Sequence, residues 1–193
     1  MKRKPFFPAL RMFLFLTLLT GVIYPLMITG IARLFFSSEA NGSLVYVNGR
    51  LVGSALIGQS FGNDSIYFTS RPSSISYNPI PSGGSNYSLT NRKLKDLCEK
   101  RKQQFIANNQ LACLQEIPPE MLFASGSGLD PHISPEAAML QIKRICKARH
   151  FSAEQEVCLR RKVRQETEPP QFLFLGSSRV NVLLLNLETD KIR

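Results

Sequence analysis

The architecture is decided by the stretch MFLFLTLLTGVIYPLMITGIA, residues 12–32, which contains no charged residue and lies between Arg11 and Arg33. At about 1.5 Å of rise per residue, a helix of this length extends over about 31 Å, close to the hydrocarbon thickness of a bilayer. No other stretch of the sequence is as long and as apolar. The sequence therefore predicts a single membrane-spanning helix followed by one domain of ordinary size.

Basic residues around this run predict its orientation. Four of them precede it (Lys2, Arg3, Lys4 and Arg11), whereas only Arg33 follows closely. Because positively charged flanks stay in the cytoplasm, we expect residues 1–11 to be cytoplasmic, residues 12–36 to form the transmembrane helix and residues 37–193 to form an extracytoplasmic domain. The alternative is a cleaved signal peptide, but its apolar core would be only about 7–15 residues long.

Small or kinking residues recur every four positions within the run: Thr17, Gly21, Pro25 and Thr29. This spacing lays them along one side of a helix, where small side chains allow a second helix to approach closely. We therefore predict that this stripe is a subunit contact. The alternative is compositional, since glycine and proline are common in membrane helices.

The net charge of +10 overstates how basic the outer part is, because five of the 24 basic residues lie in the first 36 positions. The other basic residues cluster within residues 92–95, 100–102, 143–149 and 160–164. Solvated helix faces explain these clusters best, and contact with anionic lipid headgroups is the alternative. Nucleic acid is not expected as a partner, because the domain is predicted outside the cytoplasm and no aromatic residues are interleaved with the bases.

Four cysteines, Cys98, Cys113, Cys146 and Cys158, all fall in the domain that we place outside the cytoplasm, where thiols tend to pair. Cys146 and Cys158 lie in two consecutive predicted helices, so a Cys146–Cys158 disulfide is expected, with Cys98–Cys113 as its companion. Free buried cysteines are the alternative. No metal site is predicted, because the spacings do not fit zinc and only two histidines are present.

The outer domain begins with β-type segments. Residues 43–57 contain Asn48-Gly49 between two apolar runs, which is a strong hairpin signal. A short strand is predicted at Ile66-Tyr67-Phe68. The following residues 71–91 are rich in Ser, Gly, Pro and Asn and predict a long ordered loop, a kind of segment that is often functional.

Helices follow the loop. We predict them over residues 91–109, from Ser134-Pro135 to about residue 148, and from a capping box at Ser152 and Gln155 to about residue 166. Residues 180–187 read as a covered strand pairing with the N-terminal hairpin, and residues 172–175 as a strand or a helix end. The predicted fold class is α+β: one N-terminal transmembrane helix, then a domain with a small, mostly antiparallel sheet and about three main helices.

No catalytic motif is evident: there is no Walker A loop, no dinucleotide-binding glycine motif and no G-x-S-x-G elbow. Ser125, Ser127, Asp130 and His132 crowd into SGSGLDPH, so a membrane-anchored extracytoplasmic hydrolase using Ser127 or Ser125 with His132 is the alternative function. Triads normally assemble from separate elements, which makes turn and helix-cap chemistry the simpler reading of Asp130 and His132. No catalytic residue is therefore predicted.

Taken together, these segments resemble one family, the C subunit of the bacterial Kdp potassium-transporting P-type ATPase. The stretches that carry the resemblance follow in order along nearly the whole chain: TGVIYPLMITGIA (20–32), GSALIGQSF (53–61), YFTSRPS (67–73), SGGSN (82–86) with Thr90-Asn91, ASGSGLDPHISPEAA (124–138) and RVNVLLLN (179–186).

The resemblance implies a non-enzymatic subunit of a high-affinity, ATP-driven potassium importer in the bacterial inner membrane. Its implied partners are a channel-like potassium-translocating subunit, an ATP-hydrolysing P-type subunit and a very small single-helix subunit. It further implies a role in assembly and as a catalytic chaperone that raises the ATP affinity of the ATPase subunit, with ATP and Mg²⁺ acting by way of the complex and potassium as the transported ion.

In this family, the SGGSN stretch has been compared with a nucleotide-associated signature, which would make Ser82, Gly83, Gly84, Ser85 and Asn86 the nucleotide-associated residues. Our charge argument places them on the side of the membrane opposite to cytoplasmic ATP. We therefore expect residues 82–86 and the loop containing Ser127, Asp130 and His132 to dock on the outer face of the translocating subunit.

Overall fold

The computed structural model describes residues 6–61, 64–112, 116–172 and 174–192. It consists of two compact units, one extending to Leu44 and the other beginning at Val45. The predicted fold class, an N-terminal apolar helix followed by an α+β region, is confirmed.

The first unit is dominated by a helix over Phe6–Phe35, which is long and apolar enough to cross a membrane. It comprises α1 (Phe6–Leu18), a π-helical turn (Leu19–Ile23) and α2 (Tyr24–Phe35). None of its residues is buried within the chain. A single helical turn, α3 (Ser37–Ala40), follows.

The second unit opens with the predicted hairpin, formed by β1 (Leu44–Val47) and β2 (Arg50–Ser54). Its two turn residues have the positive φ angles that this tight turn needs, 51° at Asn48 and 77° at Gly49. The hairpin is a sheet of its own, so the predicted pairing of residues 180–187 with it is wrong.

The second sheet has three short antiparallel strands in the order β3 (His132–Ile133), β5 (Arg179–Asn181) and β4 (Thr167–Glu168). The described part of this unit also contains four longer helices, α4 (Arg92–Asn109), α5 (Pro135–Arg149), α6 (Ala153–Gln165) and α7 (Val182–Asp190), and a 3₁₀ turn over Pro119–Met121.

The predicted N-terminal caps of helices α5 and α6 are present. The Ser134 side chain accepts a hydrogen bond from the Ala137 amide ahead of α5, with Pro135 at its first turn. Ser152 and Gln155 form the reciprocal capping box of α6. The core lies between these helices and the three-stranded sheet, and its fully buried members include Phe68, Ile142, Ile145, Leu159 and Val180.

Residues 180–187 do not form the predicted strand beyond Asn181. The Asn181 side chain accepts a hydrogen bond from the Leu184 amide and begins helix α7, which buries Leu183 and Leu185. A short run of valine and leucine is compatible with a buried strand or with a buried helix. The capping hydrogen bond of Asn181 favours the helix.

The predicted strand at Ile66-Tyr67-Phe68 is also wrong, because side chains take the place of a partner strand. The Phe68 amide donates to Asn186 Oδ1 at 2.7 Å, and the Phe68 carbonyl accepts from Asn186 Nδ2 at 3.0 Å. Gln141 makes the same pair of contacts with the backbone of Thr69. The backbone amides and carbonyls of Phe68 and Thr69 are therefore hydrogen-bonded without a neighbouring strand.

Arg144 corrects the prediction that residues 143–149 form a solvated face. Only 9% of it is exposed, and burial lowers the pKa of its guanidinium. Its nitrogens donate to the carbonyls of Asp64, Ser65 and Tyr67, and to the side chains of Asn109 and Gln141. The arginine thus organises the backbone from residue 64 to residue 67.

Candidate subunit interface

The structure brings the two glycine- and serine-rich loops together. We call residues 82–86 and 124–132 the Gly/Ser junction. The Gly83 amide donates to the Ser127 carbonyl at 3.0 Å. A Cβ on Gly84 would lie 3.0 Å from the Gly126 carbonyl oxygen, so the two backbones are in direct contact.

Gly128 is the residue on which this close approach depends most. Its φ of +70° lies in the left-handed region, and a Cβ there would come within 2.9 Å of the Gly83 carbonyl oxygen and 2.6 Å of the Ile75 side chain. Only glycine combines that φ angle with that proximity.

A third segment, the one that follows the hairpin, ties the junction to the sheet. The Gly58 amide donates to the Leu129 carbonyl at 2.7 Å, and the Val182 amide donates to the Pro131 carbonyl at 2.9 Å. Asn181 Nδ2 donates to the Ala55 carbonyl at 2.7 Å. Strand β5 therefore positions both the hairpin end and the SGSGLDPH loop.

Asp130 is the electrostatic centre of the junction. Arg71 Nη1 lies 2.7 Å from Asp130 Oδ2, and the His132 amide donates to Asp130 Oδ1 at 3.0 Å. Burial alone would raise the pKa of this carboxyl, but hydrogen bonds from His132 and Arg71, with the charge of Arg71, outweigh it and lower the pKa to about 2. The predicted turn role of Asp130 is therefore present, together with an arginine partner that the sequence did not reveal.

Tyr77 closes the turn over residues 71–77, which precedes residues 82–86. Its hydroxyl donates to the Arg71 carbonyl at 2.6 Å, and burial raises its pKa to about 12. Ser74 Oγ donates to the Gly83 carbonyl at 2.9 Å. Sequence reasoning missed Arg71 and Tyr77, although both stand in or beside the YFTSRPS stretch.

The outward side of this loop exposes apolar side chains. Ile80 is 81% exposed and Leu89 is 82% exposed, on either side of residues 82–86. Ser82 and Asn86 are exposed, whereas Gly83, Gly84 and Ser85 are half-buried. Large apolar side chains with this much exposure on one loop make it a candidate protein contact surface.

The residues of the hydrolase alternative do not assemble into a catalytic dyad. Ser125 is buried, and Ser127 Oγ accepts a hydrogen bond from the Leu129 amide. His132 Nδ1 faces Asp130 Oδ1 at 3.5 Å. Within the part of the chain that the structure describes, no hydrogen bond joins either serine to His132, and no three His, Cys, Asp or Glu side chains converge as metal ligands.

The predicted Cys146–Cys158 disulfide is not formed, and both residues are free thiols. Cys146 is buried in the core, whereas Cys158 precedes the buried Leu159 and so points about 100° away around α6. Cys98 is also free, with its thiol 3.8 Å from the Leu122 carbonyl. Cys113 lies outside the described residues, and the Cys98–Cys113 bridge stays a prediction.

The stripe of the N-terminal helix spans the π-helical turn. Gly21 lies within that turn, and a Cβ there would meet nothing within 4 Å. Pro25 follows it, and the Thr29 hydroxyl donates to the Pro25 carbonyl at 2.7 Å. The side of the helix at Gly21 is therefore open.

Comparison with known proteins identifies the family. The profile described as "KdpC: K+-transporting ATPase, c chain" matches residues 6–191. The chain belongs to the KdpC family. Both the N-terminal helix and the Gly/Ser junction lie within the matched residues.

Individual KdpC relatives agree over nearly the whole chain. The potassium-transporting ATPase KdpC subunit of Geobacter metallireducens is 47% identical, covering 96% of this chain and 96% of the relative. That of Leptospira interrogans is 43% identical, covering 94% and 91%. That of Klebsiella pneumoniae subsp. pneumoniae is 43% identical, covering 96% of each. The family is that of an accessory subunit in a membrane-bound, potassium-transporting ATPase complex.

Proposed function

We propose that this chain is a non-catalytic assembly subunit of a high-affinity, ATP-driven potassium importer, and that its Gly/Ser junction docks on the outer face of the potassium-translocating subunit. The observation that carries this proposal is the junction itself. Residues 82–86 and 124–132 are held together by backbone contacts, and exposed Ile80 and Leu89 flank the first of these two loops.

The topology supports the same function. With four basic residues ahead of the uncharged run at residues 12–32, the N-terminus is cytoplasmic and the α+β unit is periplasmic in the bacterial inner membrane. In this proposal the membrane helix contacts the other two partners, which are the P-type ATPase subunit and the small single-helix subunit. Protease added to spheroplasts should then digest residues 37–193 and spare the N-terminus.

The chaperone effect on ATP affinity is, in this proposal, transmitted indirectly. The Gly83 amide already donates to the Ser127 carbonyl, so this amide is not available to a phosphate. ATP and Mg²⁺ stay with the ATPase subunit and potassium with the translocating subunit. Photo-crosslinking of an ATP analogue to residues 82–86 in the intact complex would contradict this view.

Docking is tested by placing a charge at the exposed apolar positions. Ile80→Asp combined with Leu89→Asp should abolish co-purification of the translocating subunit and ATP-dependent potassium uptake, because a carboxylate would be desolvated in the contact. Val157→Asp on α6, a residue that is 58% exposed, is the matched control and should leave both unchanged. Full assembly of the double variant would refute docking at this loop.

Measurement of potassium uptake also distinguishes the proposed function from the hydrolase alternative. His132→Ala would abolish activity of a serine hydrolase, whereas our proposal expects potassium uptake to survive wherever the complex still assembles. Hydrolytic activity of the purified chain that disappears in His132→Ala would favour the alternative instead.

A further inference from the structure

The N-terminal helix contains a backbone carbonyl with no donor at the centre of its span. In a regular α-helix the Thr20 carbonyl would accept from the Tyr24 amide. Here the Tyr24 amide donates to the Leu19 carbonyl instead, as the π-helical turn over Leu19–Ile23 requires. The next amide along the chain would be that of residue 25, and proline has none.

Nearby hydroxyl groups do not replace the missing donor. The Thr20 hydroxyl donates backward to the Leu16 carbonyl at 2.7 Å, and the Thr29 hydroxyl donates to the Pro25 carbonyl. Ile23, one turn beyond Thr20, has no polar group. The Thr20 carbonyl therefore lacks a partner within the helix.

Its depth makes this deficit costly. Thr20 is the fifteenth of the 30 residues of Phe6–Phe35, which places its carbonyl near the midplane of a bilayer spanned by this helix. Water is scarce there, and an unsatisfied backbone group in hydrocarbon is strongly disfavoured. A donor must come from outside the chain.

We propose that a transmembrane helix of another subunit of the complex supplies this donor, a hydroxyl, amide or protonated side chain that bonds the Thr20 carbonyl at mid-membrane. Gly21, the next residue, leaves the open space through which such a side chain reaches the backbone. The proposal rests on membership of the potassium-pump complex and is independent of where the Gly/Ser junction docks.

The sequence contains a direct reporter for this contact. It has two Thr-Gly pairs, Thr20-Gly21 in the π-helical turn and Thr29-Gly30 in α2. If this subunit alone is labelled with ¹³C-carbonyl threonine and ¹⁵N-glycine and reassembled into the complex, solid-state NMR shows two cross-peaks. Thr29, whose carbonyl lies in regular α-helix, is the internal control.

The Thr20 carbonyl resonance should move downfield when the labelled chain passes from lipid bilayers alone into the complex, because hydrogen bonding deshields a carbonyl carbon, whereas Thr29 should not move. A complex that forms with an unshifted Thr20 refutes this inference alone and leaves the proposed function standing. A downfield Thr20 already present in the lone chain also refutes it, since water, a lipid headgroup or a second copy would then be the donor. Failure of the wild-type chain to join the complex would refute the proposed function as well.

Substitution gives a second, independent measure. Pro25→Ala permits a regular α-helix, in which the Tyr24 amide bonds the Thr20 carbonyl and the new amide at residue 25 bonds the Gly21 carbonyl. Retention in the detergent-solubilised complex should then fall about three- to thirty-fold. Pro8→Ala, in the first turn of α1 where no intrahelical acceptor is available, is the matched control and should leave retention unchanged. Unchanged retention of Pro25→Ala would count against the inference even if Thr20 shifts.

Discussion

Two irregular backbone segments of this chain meet their hydrogen-bonding needs in opposite ways. In the second unit, residues 64–69 are neither helix nor strand, and Arg144, Gln141 and Asn186 bond their carbonyls and amides. In the N-terminal helix, the π-helical turn leaves the Thr20 carbonyl without an internal donor. The second unit satisfies this segment with its own side chains, whereas we propose that the helix receives its donor from another chain.

The largest expected effect tests the self-sufficient segment. Arg144→Met should lower the free energy of unfolding of the second unit by about 3–4 kcal/mol, because several buried carbonyls lose their donor at once. Thermal unfolding of the full chain in detergent, followed by circular dichroism, measures this. Lys143→Met, exposed on the same helix, is the control and should change stability by less than about 0.5 kcal/mol.

The comparison becomes sharper when Pro25→Ala is measured in the same unfolding assay. It should leave the unfolding of the second unit unchanged while it weakens retention in the complex. A loss of domain stability in Pro25→Ala, or none in Arg144→Met, would remove the distinction between the two segments.

The second largest effect concerns the Gly/Ser junction. Gly128→Ala should destabilise the second unit by about 2–3 kcal/mol and reduce co-purification of partner subunits, because a Cβ at this positive φ angle meets Gly83 and Ile75. Gly83→Ala adds a Cβ that meets nothing within 4 Å and serves as the control. Equal stability of the two variants would contradict the close approach.

A smaller effect follows from the pKa of Asp130. Because the folded pKa of about 2 lies below the ordinary 3.8, this carboxylate contributes stability that is fully present above about pH 4 and is lost as the pH falls through 2. Asp130→Asn should cost about 1–2 kcal/mol at pH 7, after allowance for its partial exposure. The difference between wild type and variant, measured by unfolding at pH 7 and at pH 2.5, should shrink at the lower pH. A constant difference would exclude Arg71 and His132 as the cause.

The smallest effect sets the baseline. Arg160→Ala removes a surface ion pair with Glu156 on α6 and should change stability by less than about 0.5 kcal/mol, because exposed pairs are screened by solvent. Unfolding at low and at high salt measures it. A cost near that of Asp130→Asn would show that exposed pairs matter here as much as the junction does.

The features that local chemistry controls could be predicted from the sequence. Caps at Ser134 and Ser152, the Asn48-Gly49 turn and the apolar run each act within a few residues, and each is present. The interlocking of the two Gly/Ser loops could not be predicted from the loops alone, since the contact between Gly83 and Ser127 depends on how the whole unit closes.

The failures have the same physical origin. Residues 66–68 have strand propensity, but Asn186 bonds the backbone of Phe68 and Gln141 bonds that of Thr69, and both side chains lie more than 70 residues further on. Arg144 was read as a solvated base, although its spacing from Ala137, Gln141 and Ile145 places it on the buried face of α5. That spacing was the available signal, and the charge of the residue concealed it.

The way in which the junction is built also bears on quality control in the cell. Its surface depends on three contacts between segments that are distant in sequence. These are the backbone hydrogen bonds between residues 58 and 129 and between residues 83 and 127, and the ion pair between residues 71 and 130. A chain that is still folding, or damaged in any of these segments, does not present it. On the proposed function, we therefore expect assembly to act as a proofreading step, in which partner subunits accept only copies in which all three contacts have formed.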